Sequence, residues 1–428
     1  MAARQSQAES IVGFLSFSNT SHDYAAAIEK FTDRQWQHVQ LWLDDAGLAF
    51  YFLQKLKETN STAILPPTVL SRLERNFASN QGRVEAMSFR FNAINERFDD
   101  AGVRYEVVKG FSLVPEFCPD ASLRYQADFD YLISDESLPA ARRILVEAEY
   151  NSQNSISDKE FGFVTPGAKP CRGDGQYSLQ APHAVELHTD LWDNEMHGLE
   201  AIPKLFSLGQ PRMQHWNGFS FPAQTDADAF LLQVLHACRH VFTQWIRLSN
   251  LFEIGYFLNR RWADTDLWLK VEKRAGENVI VREFVAIVGE LTRQLFAAPL
   301  PDVIQKWAAG MRRKSRVWIE RYARDWALCE LPAYEFCLFP RSKLVLFLQQ
   351  QYRSSSTEPD ARPKNNSASS RLSRITSSLW LKPSLLLNPE WRQTNKLIRR
   401  SIFYALAEAR YFCEIPRWRW LTRTSASR

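Results

Sequence analysis

No uninterrupted apolar run in the 428 residues approaches the roughly 20 that a membrane-spanning helix needs. The run Leu344-Val345-Leu346-Phe347-Leu348 is far too short. No charged-then-apolar leader opens the sequence, which begins Met1-Ala2-Ala3-Arg4-Gln5-Ser6-Gln7, so a cytoplasmic protein is expected. Cysteine is sparse. The 6 thiols (Cys118, Cys171, Cys238, Cys329, Cys337 and Cys413) form no Cys-x-x-Cys pair. That argues against a zinc ribbon or thioredoxin-type site, and a chain this long does not rely on a disulfide framework, so the thiols are read as reduced. There is no internal repeat. The 45% hydrophobic and 24% charged fractions are ordinary, and the length predicts two or three domains.

Against this plain background stands Asp128-Phe129-Asp130-Tyr131-Leu132-Ile133. In a strand, side chains repeat every two residues, so Asp128 and Asp130 share a face. Adjacent carboxylates repel unless a cation lies between them, and Mg²⁺ suits hard oxygen ligands. A strand with one solvated face is the competing reading. Upstream, Val107-Val108-Lys109-Gly110-Phe111-Ser112 reads as strand, tight turn and helix start. Such a turn suits a phosphate, with Lys109 adding charge and Ser112 a hydroxyl; an ordinary turn is the alternative. Downstream, Ala184-Val185-Glu186-Leu187-His188-Thr189-Asp190 alternates again, placing Glu186, His188 and Asp190 on one face. Three carboxylates on neighbouring strands beside a glycine turn are the parts of a metal-dependent phosphoryl or nucleotidyl transfer site.

The combination resembles the polymerase-beta-like nucleotidyltransferase superfamily. More closely, it resembles the uncharacterised nucleotidyltransferase family of bacteria. The matching stretches are Val108-Lys109-Gly110, Arg124-Tyr125-Gln126-Ala127-Asp128-Phe129-Asp130, Val185-Glu186-Leu187-His188, Leu235-His236-Ala237-Cys238-Arg239-His240 and Trp245-Ile246-Arg247-Leu248-Ser249-Asn250-Leu251. Two departures stand out. Phe111 separates Ser112 from Gly110 where the superfamily has Gly-Ser. Asn250 occupies a position that is often Asp, with Glu253 one helical turn on as its possible substitute.

The resemblance implies an α+β fold, a small mixed sheet flanked by N-terminal and C-terminal helical regions. The expected divisions are an N-terminal helical region (1–102), a core (103–225), a helical domain (226–352), a flexible linker (353–376) and a basic aromatic tail (377–428). Within them, Trp36, Val39, Leu43, Phe50, Leu53 and Leu56 recur at helical spacing, as do Val84, Met87, Phe91, Ile94 and Phe98. Residues 151–175 read as a long loop or hairpin, and Asn217-Gly218 as a hairpin turn. Residues 371–428 hold 12 Lys and Arg against 3 Glu, although the whole chain is only +5. There Arg417-Trp418-Arg419-Trp420 suits either an anionic partner (nucleic acid, lipid headgroups, an acidic protein) or docking on the chain's own surface.

The resemblance also implies chemistry. An NTP and two Mg²⁺ ions would meet Asp128, Asp130 and Glu186. Lys109, Gly110, Ser112 and Arg124 would take phosphates, and His188, His236, His240 and Arg247 would line the cleft, His188 toward the unidentified acceptor. Two other readings stay open. One is a catalytically weak binding or regulatory protein acting through its basic tail. The other is a metallohydrolase built on His236 and His240, whose spacing suits zinc but lacks a catalytic His-Glu-x-x-His.

Overall fold

The computed structural model describes residues 2–18, 21–153, 159–167, 173–192, 206–243, 247–276, 278–328, 347–348, 352 and 409–422. The expected linker and the first part of the basic tail lie outside the described residues.

Four helices open the chain: α1 (Ala2–Phe14), α2 (Ser21–Ile28), α3 (Asp33–Ala46) and α4 (Ala49–Glu58). Thr32 and Gln35 form a reciprocal capping box at the start of α3, and left-handed Gly47 ends it. Pro67 starts α5 (Pro67–Asp100), where its missing N–H costs nothing because the first turn leaves it unpaired. The buried stripe of α5 changes character along its length. Val69 and Leu73 come first, then Asn76, Asn80 and Arg83, then Val84, Met87, Phe91, Ile94 and Phe98.

The sheet contains β1 (Tyr105–Val107), β2 (Asp128–Ile133), β3 (Asn151–Ser152), β4 (Glu160–Val164), β5 (Ala184–His188), β6 (Arg212–Trp216) and β7 (Phe219–Ala223). Its order is β3-β4-β5-β2-β1-β7-β6. β2 runs antiparallel to β1 and parallel to β5, so the sheet is mixed and the fold is α+β. Helix α6 (Leu138–Glu147) follows β2. Asn217 and Gly218 adopt φ of 49° and 82°, which gives the two-residue turn expected between β6 and β7. β3 and β4 pair antiparallel, so the hairpin alternative for this region holds; residues 154–158 lie outside the described residues.

Alternation along the strands decides the layers. Phe129, Tyr131, Ile133, Val185 and Leu187 pack against α6 and the C-terminal half of α5 in one core. Leu132, on the opposite face, belongs to a larger helical core. That core joins the N-terminal helices to α7 (Asp226–Thr243), α8 (Leu248–Arg261), α9 (Thr265–Ala275) and α10 (Val279–Phe296). Asp128, Asp130, Glu186 and His188 have the parity of Leu132, so they face the helical side.

Residues 409–422 are helical. Trp418 is buried there, stacked on Phe347 at 4.8 Å, while Tyr322 donates its hydroxyl to Glu414 at 2.8 Å. Trp420 is 71% exposed. No helix among the described residues is long and apolar enough to cross a membrane. Cys118 and Cys238 are buried free thiols and Cys413 is an exposed one.

Candidate active site

The site begins where β1 ends. Gly110 turns the chain with φ of 64°, and a Cβ there would lie 2.5 Å from Gln126 Nε2. The left-handed conformation favours glycine, and a larger residue would also have to displace the Gln126 amide. Beside it, Lys109 Nζ donates to Asp130 Oδ1 at 2.7 Å. Ser112 donates its hydroxyl to the Lys109 carbonyl at 3.1 Å, so that group closes the turn Gly110–Leu113.

The parallel pairing of β2 with β5 sets Asp130 opposite Glu186 and Asp128 opposite Ala184. His188 follows two residues on from Glu186. Its Nε2 lies 3.2 Å from Asp130 Oδ1 and 3.7 Å from Glu186 Oε2. One donor atom from each of Asp130, Glu186 and His188 falls within 4.8 Å of the others, the one such cluster among the described residues. Asp128 stands outside this trio, and His188 stands inside it.

The electrostatics show what the cluster needs. Burial and the charge of Asp130 push the Asp128 carboxyl up to about 6, against Lys109, Arg124 and Arg247. Burial, Asp130 and Asp128 likewise push Glu186 up. Burial alone would raise Asp130, but Lys109 and His188 hold it well below the usual carboxylate range. Buried Asp130 and half-buried Asp128 and Glu186 thus crowd round one ammonium group, Lys109, with Arg124 and Arg247 acting on Asp128, and like charges so placed resist ionising together without further positive charge. Carboxylate oxygens joined by one imidazole nitrogen are a donor set that fits a divalent cation.

Arg124 is held from several sides. Its Nε donates to Glu253 Oε1 at 2.9 Å, and its Nη1 reaches the Gly110 carbonyl at 3.5 Å. The Tyr51 hydroxyl donates to the same Glu253 oxygen at 2.8 Å, so the acid that α8 contributes is Glu253. Arg247 stacks over the Tyr125 ring at 5.0 Å and leaves α8 without a side-chain cap. His236 and His240 meet through their Nε2 atoms at 3.0 Å. Burial, then Lys109, His240, Arg239 and Arg124, keep His236 well below its ordinary value, which sets this pair near the site's cations. Among the described residues the pair belongs to no three-donor cluster.

Sequence reasoning missed the grip of α5. Asn80 Nδ2 donates to the carbonyls of Ser122 at 2.7 Å and Arg124 at 2.9 Å. Arg83 donates to the carbonyl of Gln126 and, at 3.2 Å, to that of Pro182. Ser122 lies in a 3-10 turn (Ala121–Leu123) and Arg124 and Gln126 follow it on the way into β2, so α5 supplies the donors for the carbonyls of this approach. The available signal was polar Asn76, Asn80 and Arg83 at helical spacing within an apolar stripe.

A family model described as an uncharacterised nucleotidyltransferase matches residues 32–297. The chain belongs to that family. Comparison with curated proteins returns no match. The nucleotidyltransferase match runs from the start of α3 to the end of α10. It therefore takes in the helices that carry Tyr51, Asn80, Arg83 and Glu253 as well as the sheet.

Proposed function

We propose that the chain moves a nucleoside monophosphate group from an NTP to a hydroxyl or similar acceptor, in a metal-dependent reaction. The observation that carries this reading is the register of two parallel strands that sets Asp130 beside Glu186, with Lys109 on the same carboxylate. Asp130, Glu186 and His188 would hold one divalent ion, and Asp128 with Asp130 a second, Mg²⁺ on the sequence reading. Bound there, such ions neutralise a triphosphate and polarise its α-phosphorus. Lys109 and Arg124 bring positive charge to the phosphates, and the Gly110 turn lets backbone approach them. The acceptor oxygen forms its bond to the α-phosphorus as the bond to pyrophosphate breaks. The acceptor proton would pass to the Glu186 carboxylate, which burial, Asp130 and Asp128 push toward its acid form and which a cation bound beside it would hold ionised.

The alternative of a binding protein acting through a basic tail has less support, because Trp418 and Glu414 are engaged with the chain's own helices. Exposed Trp420 beside Arg419 is the part of that motif left for an anionic partner.

NTP binding with and without Mg²⁺, in wild type and in the Asp128→Asn/Asp130→Asn double variant, tests the reading. Mg²⁺-dependent binding that the double variant loses is the expected result. A folded wild type that binds no NTP overturns it.

A further inference from the structure

His188 alters the kind of cation this site should prefer. From sequence it reads as an acceptor contact, yet its Nε2 lies 3.2 Å from Asp130 Oδ1 and 3.7 Å from Glu186 Oε2. Adjacent ligands around one ion with bonds of about 2.1 Å sit about 3.0 Å apart in octahedral geometry and about 3.4 Å apart in tetrahedral geometry. Both distances fall close to that spacing. His188 is 5% exposed, which leaves its ring little room to turn. Its strand is hydrogen-bonded on both sides, to β2 and to β4. The remaining polar contact at Asp130 Oδ1 is Lys109 Nζ at 2.7 Å.

We propose that His188 is a nitrogen ligand of the metal site, and that the site therefore binds a first-row divalent ion such as Mn²⁺ more tightly than Mg²⁺. The inference rests on the metal-dependent reading above and deepens it. All-oxygen sites suit Mg²⁺, whereas imidazole shifts preference toward first-row ions, and Mn²⁺ accepts both donor types. The competing role for the ring is a hydrogen bond from Nε2–H to Asp130. The two roles exclude each other, because a nitrogen carrying that proton has no lone pair for a metal.

Mn²⁺ alone, added to the full chain, is the probe. Pulsed electron paramagnetic resonance reads nitrogen coupling to the bound ion, and calorimetry compares Mn²⁺ with Mg²⁺. Wild type is expected to show imidazole coupling and to bind Mn²⁺ more tightly than Mg²⁺. His188→Gln should lose both, while His236→Gln keeps both. Bound Mn²⁺ without nitrogen coupling overturns the role of His188 and leaves the metal-dependent reading standing. Coupling that disappears in His236→Gln overturns it too, even if His188→Gln does not fold. A folded wild type that binds neither ion overturns both readings.

Discussion

Arg124 Nε and Glu253 Oε1 meet at 2.9 Å although 129 residues separate them in sequence. Tyr51, from a third segment, completes the arrangement. Removing one member of a buried ion pair strands the other, at a cost of about 3–5 kcal/mol. Glu253→Ala should therefore destabilise by that order, whereas Tyr51→Phe, which removes a hydroxyl that meets both Glu253 and the Cys118 thiol but strands no charge, should cost about 1.5–3 kcal/mol. Denaturant midpoints measure both. Equal effects would show that the arginine does not depend on the glutamate.

Asp128 sets function against stability. Its carboxyl, pushed up to about 6 from 3.8 by burial and Asp130, favours the folded state while protonated and loses that contribution as pH rises through 6. In chelator above pH 6, Asp128→Asn should unfold later than wild type, by about 1–3 kcal/mol, with the gap closing below pH 4. The same variant should have no turnover. A variant that is less stable at neutral pH, or still active, contradicts the assignment.

His183 supplies a pH dependence remote from the chemistry. Its Nε2 lies 2.7 Å from the Tyr150 hydroxyl, and burial, then Arg90 and Arg83, lower it from 6.5 to about 4. A base depressed on folding contributes stability that is full above pH 6.5 and declines as pH falls through 4. The contribution is about 3 kcal/mol. In urea titrations across this range, His183→Gln should show a shallower loss of stability than wild type. Parallel curves would assign the slope to other groups.

The polar waist of α5 should matter for binding as well as folding. Asn80→Ala leaves the Ser122 and Arg124 carbonyls without their donor, a cost of about 1–3 kcal/mol. Arg83→Met removes the donors that join the approaches to β2 and β5. Both variants are expected to weaken Mg²⁺-dependent NTP binding at temperatures where circular dichroism shows them folded. Unchanged affinity in folded Arg83→Met would limit the residue to stability.

The strands that carry the carboxylates were legible because their pattern is local. Alternation placed Asp128 with Asp130 and Glu186 with His188, and Asn217-Gly218 announced its hairpin. The register of β2 against β5 was not legible, since it depends on two segments more than fifty residues apart. That register puts His188 rather than Asp128 in the three-donor cluster. The duties of Lys109 and Ser112 were also hidden. One lies on Asp130 and the other closes its own turn, and both depend on how the loop folds back. Glu253 stood out in sequence only as an acid one helical turn beyond Asn250, while its partner Arg124 was hidden, and Tyr51 gave no signal because it looks ordinary within its helix.

Helix α5 lends Val69 and Leu73 to the helical core, and Val84, Met87, Phe91, Ile94 and Phe98 to the sheet core. A rod of about 50 Å common to both leaves no joint at which one core can loosen while the other keeps its packing. Cooperativity that short linkers deny to many two-core chains is here built into a single helix. Heat or denaturant should release both cores in one transition, and a proteolytic cut near Asn80 should undo them together.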